Sequence, residues 1–380
     1  MEKYKNKFIE LFTNEPLMVR SPGRINLIGE HTDYNDGFVL PAAIDKSIYF
    51  AIAPSGKDSC HLYAYDLNEE YKFKINSYAK ITGGWQNYLL GVIDQFKKLY
   101  LAIDGFNCVF GGDIPIGSGM SSSAAVEAGL AFALNNIFKL NLNKLELTKL
   151  AQRAENEFVG VRCGIMDQFA NLFGQKDKVL KLDCRTLEFE LIPLELKKYS
   201  ILLIDTKVKH SLASSEYNLR RAQCEESVKY FAKFDNSIKS LRDVNLELIM
   251  EHKDKLESVL FKSAFFVVSE NKRLLDGCND LMNGNIDAFG EKMFATHYGL
   301  KNDYEVSCPE LDYLVEMAEQ FNGVVGSRLM GGGFGGCTIN LVETNKIEEF
   351  KEIILRSYFK KFNIKPQFYS VSITNGTELI

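Results

Sequence analysis

The sequence predicts an α+β fold of two closely packed halves, and three observations carry that expectation. Strand-like alternation and helix-like spacing are intermixed along the chain, its 380 residues suffice for one large domain or two ordinary ones, and no Pro/Gly/Ser linker, repeat or low-complexity tract interrupts it. A division near residue 195 gives an N-terminal unit, 1–195, and a C-terminal unit, 196–380.

In chain order, Lys46–Ala53 and Tyr71–Ile75 alternate or run apolar as strands do. Trp85, Tyr88, Leu89, Val92, Phe96 and Leu99 recur at helical spacing. A Gly/Ser loop then leads into a helix over about Ala124–Phe138. A third helix, about Lys144–Phe158, carries Leu147, Leu150, Ala151, Ala154 and Phe158 on one stripe. Ser200–Asp205 reads as a strand, and a long polar, helix-rich stretch follows to about Gln320. The closing portion reads strand, glycine loop, strand (Cys337–Val342), helix (about Ile347–Phe359) and a strand alternating Tyr369, Val371 and Ile373.

Composition narrows the functional classes. A net charge of −5 gives no global attraction to nucleic acid or anionic membrane, so any phosphate must be bound by a local site. Apolar runs such as Ser200–Ile204 and Ala264–Val268 are far too short to span a bilayer, and the start MEKYKNKFIELF mixes charge with apolar residues. Neither signal peptide nor anchor is expected. The eight cysteines contain no CxxC pair and the five histidines no HExxH, which disfavours zinc. Reduced thiols in a cytoplasmic protein are expected, with no nucleic-acid or membrane partner and a monomer without an obligate protein partner.

Three clusters carry chemistry. Gly111–Ala125 (GGDIPIGSGMSSSAA) is a Gly/Ser loop entering an alanine-rich helix. Its backbone N–H groups and the helix N-terminus can cradle a di- or triphosphate, with serine hydroxyls donating to phosphate or ligating Mg²⁺; a plain serine-capped helix is the structural alternative. No GxxxxGK[ST] is present, so the loop is not a Walker P-loop. Gly331–Gly336 (GGGFGG) formally satisfies GxGxxG, but CTINLV after it reads as a strand, so a tight loop lining a site or another backbone is expected rather than a dinucleotide fold. Ser21–Gly37 packs Arg24, Glu30, His31, Asp33 and Asn35 between expected strands, either as a solvated loop or as matched donors and acceptors for a polyol. Glu155 and Asp167 each border an apolar helical stripe, where a carboxylate is costly unless paired or bound to a cation. They serve either as caps and ion pairs or as a phosphoryl-transfer pair, one holding Mg²⁺ and one aligning or deprotonating the attacking hydroxyl, with an arginine steadying the transferred charge.

These segments, in this order, resemble the three motifs of the GHMP small-molecule kinases. GGDIPIGSGMSSSAA is similar to the second motif and GSRLMGGGFGGCTINL to the third, while SPGRINLIGEHTDYNDGFVLPAAID resembles the narrower signature of the galactokinase family. RAENEFVGVRCGIMDQFANLFG and SSEYNLRRAQCEE extend the resemblance over residues 17 to 342. It implies a ribosomal S5 domain 2-like N-terminal domain against a ferredoxin-like C-terminal domain, with ATP as co-substrate, Mg²⁺, and phosphorylation of the C1 hydroxyl of galactose as the first step of its catabolism. Position by position it implies Asp167 and Arg24 as catalytic, and Glu30, His31, Thr32, Asp33, Gly164 and Tyr217 as sugar-binding. Gly117, Ser118, Gly119, Met120, Ser121, Ser122 and Ser123 would form the phosphate loop, with Ser123 and Glu155 as magnesium ligands. One departure is Met330, where such enzymes commonly carry threonine. Two other roles resemble this one: a kinase for N-acetylgalactosamine, and a catalytically silent galactose sensor. The intact Ser121–Ala125 run speaks against the second.

Overall fold

The computed structural model describes residues 1–115, 117–208 and 213–380, and of residues 213 and 214 the backbone alone. In chain order the elements are α1 (Glu2–Phe12), β1 (Leu17–Asn26), β2 (Phe38–Val39), β3 (Pro41–Pro54), β4 (Ser59–Ala64), β5 (Glu69–Lys74), α2 (Gln86–Lys98), β6 (Phe106–Gly112), α3 (Ser122–Ile137), α4 (Lys144–Arg153), α5 (Met166–Phe173), β7 (Lys178–Asp183), β8 (Phe189–Pro193) and β9 (Tyr199–Asp205). There follow α6 (Ala213–Phe231), α7 (Leu246–Glu251), α8 (Ser258–Met282), α9 (Ile286–Asn302), α10 (Pro309–Gln320), β10 (Val324–Leu329), β11 (Cys337–Glu343), α11 (Ile347–Phe362), β12 (Gln367–Val371) and β13 (Glu378–Leu379).

A six-stranded sheet in the order β13-β1-β3-β6-β4-β5 forms the first layer; its neighbours are antiparallel except for the parallel pair β4 and β6. α3 packs on β1 and β3, and α2 packs on α3. Alanines on α3 permit this: Ala124, Ala125, Ala128 and Ala131 are buried, so the helix axis can lie close to the sheet. A four-stranded antiparallel sheet, β10-β11-β9-β12, draws all its strands from beyond residue 198, and α9, α10 and α11 pack against or beside it. The small sheet β2-β7-β8 carries its own apolar cluster, around Val39, Phe169 and Leu182. The largest core is continuous from Val19 and Phe50 of the first sheet to Leu203 and Ile339 of the second, so the two halves share one apolar interior.

Two departures from the expected elements shape the site. Arg24 lies on β1 rather than in a loop, at a register shift between Pro22 and Arg24 where its N–H leaves the ladder to bond the Met120 carbonyl at 3.1 Å. The helix expected over Lys144–Phe158 is α-helical only to Arg153, held at its start by the Asn143–Glu146 capping box, and then becomes a π-helical turn over Ala154–Val159. That turn carries Glu155. Ile373 lies just past β12 as an isolated bridge partner of Ile44.

Candidate active site

The site is built around one carboxylate. Asp167 stands on the first turn of α5, and Arg24 grips it through both oxygens, Nε to Oδ1 at 2.6 Å and Nη2 to Oδ2 at 2.8 Å. The Ser121 hydroxyl also donates to Oδ2, and the remaining Arg24 arm donates to the Gly119 carbonyl. The catalytic candidates and the loop before α3 are therefore tied into one unit. Ser121 has a left-handed backbone (φ 57°), which turns the chain sharply into the helix.

Against Asp167 lies a partly open cavity of about 160 Å³, lined by Arg24, Glu30, His31, Asp33, Gly164 and Tyr217 among others. Glu30 is buried and accepts from the guanidinium of Arg328 at 3.0 Å and from the Gly331 N–H at 2.8 Å. Arg328 is wholly buried, and its other donors go to the carbonyls of Asn26, Leu27 and Leu329. His31 adopts φ 62°, and burial lowers its pKa to about 4, so the ring is neutral at physiological pH; its Nε2 has no partner. Asp33 is pushed up to about 7, first by burial and then by the charge of Asp167. Gly164 lets Asp33 come close, since a Cβ there would stand 1.9 Å from Oδ2. The Tyr217 ring packs on His31 and Tyr34, with centroids 5.3 and 5.4 Å away.

A second, apolar cavity of about 280 Å³ opens beside the first turn of α3, lined by Trp85, Tyr88, Phe110, Ile114, Ser122 and Ser123 among others. Glu155 lines the first cavity, and its carboxylate accepts from Gln168 Nε2 at 2.8 Å and from the Cys163 thiol at 3.3 Å, with the Ser123 hydroxyl of the second cavity close enough to act on it. Burial, then the Asp167 charge, raises the Glu155 pKa. Beside it Glu127 of α3 is fully buried and raised well above the carboxylate range by burial and by Glu155.

The structure thus brings together Arg24, Glu30, His31, Asp33, Glu155, Gly164, Asp167 and Tyr217. Besides Ser121, whose hydroxyl goes to Asp167, three expected residues use their side chains otherwise. The Thr32 hydroxyl is spent on the carbonyls of Gly29 and Phe38, closing its own turn. Ser118 donates to the Pro115 carbonyl at 2.7 Å, and Met120 is buried in the core. Gly117 and Gly119 have positive φ, and the 117–119 segment abuts the 331–336 loop, where Met330 is buried with its carbonyl towards Gly119. Residues that sequence reasoning passed over are Glu127, Gln168, Arg328, Tyr34 and Tyr304. Only Glu127 left a visible signal, a lone carboxylate within the small apolar run AAVEAGLA. Among the described residues no group of three or more His, Cys, Asp or Glu side chains is arranged to hold a metal, and no helix is long and apolar enough to cross a membrane.

Comparison with known proteins fits this geometry. Residues 87–175 match the GHMP kinases N terminal domain and residues 279–361 the GHMP kinases C terminal domain, so fold and site define a GHMP kinase. Residues 6–54 match the galactokinase galactose-binding signature. Galactokinase of Thermosipho africanus is 41% identical over 96% of this chain and 100% of its own length, and that of Clostridium acetobutylicum 42% over 100% and 98%. The crystal structure of Lactococcus lactis galactokinase complexed with galactose superposes with a TM-score of 0.96 at 37% identity, covering 100% of this chain and 99% of that one. Methanococcus jannaschii mevalonate kinase, at 20% identity and a TM-score of 0.66 over 95% of this chain and 99% of its own, shares the fold. The chain belongs to the galactokinase family.

Proposed function

We propose that the protein transfers the γ-phosphoryl group of ATP to the C1 hydroxyl of α-D-galactose, giving galactose 1-phosphate and ADP. One observation carries this reading: the Asp167 carboxylate, fixed by Arg24 and Ser121, joins a cavity lined by polar side chains to the phosphate-type loop before α3. A hydroxyl entering the cavity meets an oriented acceptor at Asp167 and a positive charge beside it. Asp167 orients the C1 hydroxyl and takes its proton as the O–P bond forms; because the transition state is loose, alignment matters more than base strength. Arg24 lies where charge develops on the transferring group.

The phosphates rest on the N-terminus of α3, with the base in the apolar cavity next to Ser122 and Ser123. Glu155 and Ser123 supply hard oxygen donors, and two protein ligands are what a Mg²⁺ ion held mainly by phosphate oxygens and water calls for. Held there, Mg²⁺ would offset the negative charge of the phosphates. Eight free cysteines agree with a reducing, cytoplasmic setting.

A coupled ADP-release assay with Mg·ATP over a panel of hexoses and N-acetylgalactosamine tests the assignment. Galactose is expected to drive release; folded protein with no galactose-dependent signal removes the reading. Asp167→Asn is expected to lower kcat by roughly 10²–10⁴, and near-normal turnover of the folded variant contradicts its role.

A further inference from the structure

A hydrogen-bond chain runs from the sugar cavity into the helical layer of the C-terminal half. His31 Nδ1 meets the Tyr34 hydroxyl at 2.8 Å, that hydroxyl meets Tyr304 Oη at 2.7 Å, and Tyr304 Oη meets the Cys224 thiol at 3.2 Å. Tyr304 and Cys224 are buried, so no water competes for their polar atoms. The rings reinforce the line, with His31 4.9 Å from Tyr304 and 5.9 Å from Tyr34 by centroid. The His31 backbone is pinned as well, its carbonyl accepting from Asn35 Nδ2 at 2.9 Å.

We propose that this relay fixes the tautomer of His31, so that Nε2 carries the proton and presents an N–H donor to one sugar hydroxyl. Tyr34 and Tyr304 are then positioning residues for galactose recognition. Each hydroxyl in the chain has one proton, so the chain can point only two ways. Running from Cys224 to His31, its links are S–H to phenol oxygen, phenol to phenol, and phenol to imidazole nitrogen, the last joining a good donor to a good acceptor. Running the other way it replaces that link with N–H to phenol oxygen; the sulfur end is weak either way, as donor or as acceptor, so the imidazole link decides. The first direction is favoured, and it leaves Nδ1 as acceptor and Nε2–H free. Nε2 is buried and without a partner, as a donor awaiting a ligand would be. Glu30 and Asp33 line the same cavity, so a fixed Nε2–H sets a donor of known direction among side chains that can accept and helps read the direction of a sugar hydroxyl.

This inference rests on the galactose reading above for its ligand and on the relay alone for its tautomer, so two measurements are needed. Imidazole ¹⁵N shifts of the wild-type protein report the tautomer without turnover, and Nε2–H at His31 is expected; Nδ1–H overturns the proposal. In steady-state kinetics, Tyr34→Phe and Tyr304→Phe are each expected to raise the galactose KM about tenfold, within the range an unmade buried hydrogen bond implies. kcat and the KM for ATP are expected to stay within a factor of about 3 of the wild type, a change small against that tenfold shift. Because Tyr304 acts only through Tyr34, the double variant is expected to match Tyr34→Phe; losses that multiply, as two independent packing defects would, overturn the relay. Nε2–H in a wild-type protein that does not turn over galactose keeps the relay and falls on the kinase reading.

Discussion

At the residue scale, Asp33 sits where recognition and stability conflict. Burial and the neighbouring Asp167 charge hold its pKa near 7 in the fold, against 3.8 ordinarily. Between those values the folded chain keeps a proton that the unfolded chain has released, so stability falls as pH rises from about 4 to about 7 and levels off above. Three pH units set an upper limit of about 4 kcal/mol, and relaxation of a partly exposed group brings this to roughly 2. Asp33→Asn is expected to be more stable than the wild type at pH 8 and to lose that advantage towards pH 5. Thermal melts across that range check the sign, and a constant difference would contradict it. The carboxylate is retained against this cost, which agrees with a role in holding sugar hydroxyls.

At the scale of elements, loops do what helices and strands cannot. The 331–336 loop turns back under Val306, where Gly333 adopts φ +81° and an added Cβ would lie 2.1 Å from the Val306 carbonyl. Phe334 N–H bonds that same carbonyl at 2.7 Å, so the contact cannot open without losing a hydrogen bond. Gly333→Ala is expected to cost about 2–3 kcal/mol in denaturant unfolding and to raise the galactose KM by displacing Gly331 N–H from Glu30. An unchanged midpoint and KM would rule out this reading. The sequence made the glycine loop and the Gly/Ser loop legible because both rest on local backbone needs. It did not reveal the π-turn that carries Glu155, because an apolar stripe at Leu147, Leu150, Ala151, Ala154 and Phe158 continues equally well in either helix type. Nor could it separate Ser121, spent on Asp167, from Ser122 and Ser123, which line a cavity.

On the scale of the molecule, the last residues return to the first sheet. β13 pairs with β1, Arg20 meets Glu378 at 2.9 Å, and buried Thr377 bonds Asn171 Oδ1 at 2.6 Å and Ser21 Oγ at 3.2 Å. Asn171 lies one turn beyond Asp167 on α5, so the tail buttresses the catalytic helix. A chain ending at Thr374 leaves Asn171 and Ser21 without these partners and is expected to lose about 3–5 kcal/mol and some kcat. Retention of wild-type melting by that truncated chain would show the tail to be dispensable. By itself the sequence determined the mixed fold class, the phosphate-type loop and, through resemblance, the family, since these rest on short-range pattern and motif. Tertiary structure alone decided that Arg24 and Ser121 hold Asp167, that Arg328 braces Glu30, and that Tyr304 stands behind His31. Those partners lie tens to hundreds of residues apart, and only the packing of two halves around one core brings their polar atoms within bonding distance.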